Sequence, residues 1–97
     1  MTDVKYRRAS DTFLKALKTL ATSPEPLERR LINAFNYLGN LDKSNIPPDL
    51  NAQFQKLESD AHRFGNYEDT ITSLSEDERV TLATQILELF CRLESHH

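Results

Sequence analysis

Apolar residues recur three or four positions apart along most of the chain, with polar and charged residues between them, which is the spacing of amphipathic helices. Tyr6, Ala9, Phe13, Leu17 and Leu20 make the first stripe and predict a helix over about 3–21. Arg8, Asp11, Lys15 and Lys18 fall on its opposite, solvent-facing side. Thr22, Ser23 and Pro24 read as a stop followed by a new start. Ser23 suits an N-cap and Pro24 a first helical turn, where its missing donor costs nothing. The second helix is therefore expected over 24–39, with Leu27, Leu31, Ala34, Phe35 and Leu38 inward and Gly39 as a positive-φ C-terminal cap.

Pro47 and Pro48 reset the chain after a short polar stretch, and a third helix is expected over about 47–63. Its apolar set, Leu50, Phe54, Leu57 and Ala61, covers a narrow arc, which suits a helix on the outside of a bundle. Residues 65–72 read as a loop and as the most mobile internal segment. Ser75 and Glu78 form an S-x-x-E capping box, with Glu76 and Asp77 adding negative charge at the positive end of the helix they open. That fourth helix, over about 76–94, places Val80, Leu82, Ala83, Ile86, Leu87, Leu89, Phe90 and Leu93 around half its circumference. So wide an arc describes either the central helix of its own bundle or one that offers a face to a partner.

Only two glycines occur among 97 residues, and the length suits one small domain with one core. The expected fold is all-α: a small four-helix bundle spanning 1–97, with short connections and antiparallel neighbours. A net charge of −3, from 12 basic and 15 acidic side chains, argues against coating nucleic acid or an anionic membrane by charge alone. The charge is unevenly spread. Residues 1–30 carry seven Lys or Arg against four acids, and residues 61–97 carry three against seven, so the two ends are suited to attract each other within a bundle or a head-to-tail dimer.

One cysteine, Cys91, rules out an internal disulfide framework and points to a reducing, bacterial cytoplasm. The longest apolar run is Leu89, Phe90 and Cys91, so neither a membrane span nor a signal peptide is expected. His96 and His97 read as the beginning of a purification tag.

Gly39 and Gly65 lie too far apart for a phosphate-binding loop, and one Cys with three His does not compose a structural zinc site. The sole Glu-x-x-His pair, Glu94 with His97, falls at the chain end, where a di-iron centre has no helices to complete it. No cofactor is expected. Arg92 and His97 are spaced R-x4-H, which resembles the motif of the HEPN ribonucleases, themselves helical bundles. The resemblance covers two residues and implies that they would form a catalytic pair. His62 and Arg63 follow the third helix, where positive charge complements the helix dipole, and Cys91 reads as a small hydrophobe at the edge of the apolar arc.

The function expected is that of a small accessory, adaptor or regulatory protein without catalysis. It would bind a protein partner or a second copy through Leu82, Leu89 and Leu93 on the fourth helix. The alternative is a nucleic-acid-binding regulator using Lys5, Arg7, Arg8, Lys15 and Lys18 of the first helix, joined in space by Arg29 and Arg30.

Overall fold

The computed structural model describes residues 6–95. They form five α-helices, α1 (Arg7–Thr22), α2 (Leu27–Leu38), α3 (Asn51–Ala61), α4 (Tyr67–Ser73) and α5 (Glu76–Glu94), and no strand occurs among them. Two 3-10 turns, Lys43–Asn45 and Pro48–Leu50, lie in the long connection between α2 and α3. The fold is all-helical as expected, with five helices in place of four.

The extra helix is α4, in the segment expected to be a loop. Asn66 caps it by accepting a hydrogen bond from the Asp69 N–H at 2.7 Å, and Glu68 and Asp69 occupy its first turn. Its other anchor is Thr70, which is fully buried. The Thr70 hydroxyl donates to the Asn66 carbonyl at 2.8 Å and accepts from the Phe64 N–H at 2.9 Å. One side chain thus satisfies two backbone groups of the α3–α4 turn. Gly65 completes that turn at φ 98°, a backbone conformation that glycine adopts without steric cost.

α2 starts at Leu27, not at Pro24, because Pro26 disfavours helical geometry at Glu25. The Ser23 hydroxyl accepts from the Glu25 N–H at 3.3 Å in a local turn, and Pro26 itself is the N-cap residue. Gly39 departs from expectation too, with φ −65° and ψ −12° in the right-handed region. α3 begins at Asn51 after the 3-10 turn and ends at Ala61, inside the expected 47–63. α5 matches its expected span, and both hydrogen bonds of the Ser75–Glu78 capping box are present.

Polar ties between helix ends fix the directions. Arg30 of α2 donates to the Leu20 carbonyl in the last turn of α1 at 2.5 Å, which sets the start of α2 beside the end of α1. Arg79 of α5 donates to the Ile71 and Thr72 carbonyls at 3.0 and 3.1 Å and reaches Glu28 of α2 at 3.5 Å. The end of α4 and the starts of α2 and α5 therefore lie together. Ser10 of α1 donates to Glu94 of α5 at 2.9 Å, and Arg92 of α5 to Gln53 of α3 at 2.6 Å, so α5 runs antiparallel to both.

The helices close around a single core. Phe13, Leu31, Phe35, Leu38, Ile71, Ile86, Leu89 and Leu93 are its largest fully enclosed side chains. Phe13 meets Phe54 edge to face, with ring centroids 6.3 Å apart. No helix among the described residues is long and apolar enough to cross a membrane.

Candidate interaction surfaces

The wide apolar arc of α5 is divided by the packing. Leu82, Leu89 and Leu93, expected to anchor a partner, are buried in the core with Ile86, so a partner reaches none of them on the folded surface. Their positions form the centre of the arc, and α5 turns that centre toward α1, α2 and α3 because burial there removes the most apolar area from water. What remains outside is the arc's edge: Val80 is 49% and Leu87 50% exposed, with Ala83 and Phe90 half-buried beside them.

α1 extends this edge. The Ser10–Glu94 hydrogen bond sets the antiparallel register, so four residues onward in α1 and four back in α5 bring Leu14 to the level of Phe90. A further turn brings Leu17 to the level of Leu87. Leu14 is 42% exposed and Leu17 half-buried. The seam between α1 and α5 is therefore an apolar strip about two to three turns long. Lys18, exposed, borders it on the α1 side, whereas Glu88 lies on the other flank of α5, beside Gln53 and Lys56 of α3.

The opposite flank of α1 meets α2 in a polar groove. Its first part, about 650 Å³, is open to solvent and lined by Arg7, Arg8, Thr12 and Lys15 of α1, with Asp11 as its one carboxylate and Tyr37 and Asn40 across it. It continues past Tyr37 into a second part of about 570 Å³ lined by Thr19, Thr22, Asn33 and Asn36. Tyr37 is 42% exposed and belongs to both parts.

The basic residues separate into two groups. Arg29 forms a salt bridge with Glu68 at 3.0 Å, Arg30 is spent on backbone carbonyls, and Arg79 is held between Glu28 and Glu76. Arg29 and Arg30 therefore do not join the α1 cluster, because each is committed to the fold. Arg7, Arg8, Lys15 and Lys18 are exposed, and among the described residues none of them forms a salt bridge. Asp42 lies near enough to Arg8 to feel its charge, although hydrogen bonds from Ser44 are the main reason its carboxyl is held below the usual range. Lys5 lies outside the described residues.

The best-organised polar cluster is elsewhere, where α3 and α4 meet the end of α2. The Tyr67 hydroxyl donates to Glu58 Oε2 at 2.5 Å, its ring stacks on Phe35 at 5.4 Å, and the His62 ring meets its edge at 5.3 Å. A Cβ on Gly39 would stand 2.9 Å from the Tyr67 hydroxyl, so glycine is required there for space, not for backbone conformation. The sequence offered no signal for this cluster, since its members come from three separate segments. It reads as a structural clasp that ties the three helices together.

The remaining candidates stay apart. Cys91 is exposed and outside the core. Arg92 donates to Gln53, and its expected catalytic companion His97 lies outside the described residues, as does the Glu94–His97 pairing. Among the described residues no group of three His, Cys, Asp or Glu side chains is placed to hold a metal ion. No protein-family model, curated protein or solved structure matches the chain.

Proposed function

We propose that the protein is a non-catalytic interaction module whose working surface is the apolar seam between α1 and α5. The observation that carries this reading is the exposure of Leu14, Val80 and Leu87 along one strip, in a domain whose other large apolar side chains are mostly enclosed. Phe64, exposed on the α3–α4 turn, is isolated from the strip and adds nothing to it.

The antiparallel course of α1 and α5 along the strip suits a second copy as the partner. A two-fold axis along the helices lays α1 of one copy over α5 of the other. In that arrangement Leu14 of one copy comes to the level of Phe90 in the other and Leu17 to the level of Leu87, and the symmetry-related contacts form as well. An apolar centre of this kind is the usual anatomy of a specific interface.

Sedimentation of the wild type and of a Leu87→Glu variant tests the reading. A concentration-dependent dimer that the variant abolishes, with the helical circular dichroism unchanged, supports it. A wild type that stays monomeric up to millimolar concentration removes the second copy as the partner.

A further inference from the structure

We infer that the groove between α1 and α2 binds single-stranded nucleic acid, with Arg8 and Lys15 on the phosphates and Tyr37 as a stacking platform for a base. This site is separate from the α1–α5 seam and does not depend on it.

Three observations meet in the groove. The first is the division of cations described above: the fold commits Arg29, Arg30 and Arg79 to its own carboxylates and carbonyls, and leaves Arg7, Arg8 and Lys15 along the groove without a salt bridge among the described residues. Two carboxylates, Asp11 among them and Asp42 near Arg8, stand against these three cations, so the local charge is positive although the whole chain carries −3. The second is Tyr37, an aromatic ring left 42% exposed at the junction of the two parts of the groove, where base stacking needs a π-face and tolerates any sequence. The third is the lining beyond the ring. Asn33 and Asn36 on α2, and Asn40 just past its end, lie opposite Thr12, Thr19 and Thr22 on α1, a row of amide and hydroxyl groups suited to sugar and base edges.

Shape decides the form of the ligand. The groove follows α1, whose 16 residues span about 24 Å. That accommodates a short single strand of about four nucleotides, the smallest site size of sequence-tolerant single-strand binders. A cleft between two packed helices does not admit the width of a duplex.

Fluorescence anisotropy with labelled twelve-residue oligothymidylate and oligouridylate, from 50 to 200 mM salt, tests the inference, with labelled polyglutamate as a non-nucleotide polyanion. Binding of either oligonucleotide is expected, with a log–log salt slope of about −2 for three neutralised phosphates. Tyr37→Ala should weaken it at least about fivefold, the low end of the stacking contribution measured per base. Arg8→Ala should weaken it as well, whereas Arg63→Ala, at an exposed arginine away from the groove, should leave it unchanged. All three positions are exposed, so circular dichroism is expected to show unaltered folding. No binding at 50 mM salt overturns the proposal. So does polyglutamate binding of equal strength, or a Tyr37→Ala variant that binds as the wild type does.

Discussion

The hydroxyl of Tyr67 donates to Glu58 Oε2 at 2.5 Å across the end of α2, directly above Gly39. This one hydrogen bond joins α3 to α4, and the ring that carries it stacks on Phe35 of α2, so three helices meet at a single side chain. Burial is the main influence on both partners. It raises the Glu58 carboxyl above its ordinary value, against the opposing effects of the hydrogen bond and the nearby His62, and it lifts the Tyr67 phenol well above its usual range. Tyr67 therefore remains a donor at every pH at which the protein is handled.

The Glu58 shift gives stability a defined pH dependence. Its native pKa lies above the unfolded one, so the native state holds more proton in the window that opens near 4.5. The stability linked to this group is fully present below the unfolded value and is lost as pH rises through the native one. Glu58→Gln keeps an acceptor for Tyr67 and removes the titration. The melting temperature of the variant relative to wild type should rise between pH 4.5 and 7, and thermal melts of both proteins across that range would show it. A difference that is flat with pH, or falls, contradicts the assignment.

Gly39→Ala separates space from backbone freedom. At φ −65° an alanine is conformationally acceptable and by itself slightly stabilising. The added Cβ, however, meets the Tyr67 hydroxyl at 2.9 Å and the Phe35 carbonyl at 3.2 Å, so the variant should lose about 1–3 kcal/mol, the range for overpacking. Tyr67→Phe removes the hydroxyl, leaves Glu58 without its donor and should itself cost about 1–3 kcal/mol. Because the two changes relieve one another, the double variant should lose clearly less than the sum in urea denaturation. Strict additivity would show that Tyr67 is not what excludes a side chain at position 39.

Much of this architecture was legible in the residues, and the parts that were not share a cause. Phe54, Leu57 and Ala61 on α3, Leu50 at its N-cap and the Ser75–Glu78 box of α5 are local patterns, and the structure uses them where they stand. The exchange of roles between the glycines was not readable. Gly65 needs a positive φ and has nothing near its missing Cβ, while Gly39 needs only room beneath a ring 28 positions later in the chain. α4 escaped because its seven residues are too short for a stripe, although Asn66 before Asp69, with Thr70 and Ile71 turned inward, was a cap signal in plain view. The α1–α2 groove was half visible: the cations of α1 were evident, but the position of Tyr37 against them depends on how two helices pack.

The Asn66 cap predicts a local effect. Asn66→Ala deprives the Asp69 N–H of its acceptor and should cost about 1 kcal/mol. With only seven residues, α4 depends on that cap and on Thr70 to hold its first turn. Hydrogen exchange should accelerate at Asp69 and its neighbours in α4 and stay unchanged in α1 and α2. An equal acceleration in every helix would show that α4 opens only with the whole domain.

Leu87 and Leu89 stand two residues apart on α5 and should respond in opposite ways. Leu89 is 1% exposed, so Leu89→Ala removes three buried heavy atoms and leaves a cavity, at about 2–5 kcal/mol. For a domain of this length about 1 kcal/mol lowers the melting temperature by roughly 4–8 °C, so the transition should fall by roughly 8 °C or more. Leu87 is half exposed, and Leu87→Ala should change monomer stability by no more than about 0.5 kcal/mol, as for a surface position. At concentrations where the α1–α5 seam is occupied, Leu87→Ala should also lose the part of the melting temperature that depends on protein concentration, since association stabilises only the folded state. Melts at micromolar and at near-millimolar protein separate the two effects. A Leu87→Ala variant that melts far below the wild type when dilute would place Leu87 in the core and leave the seam without its central contact.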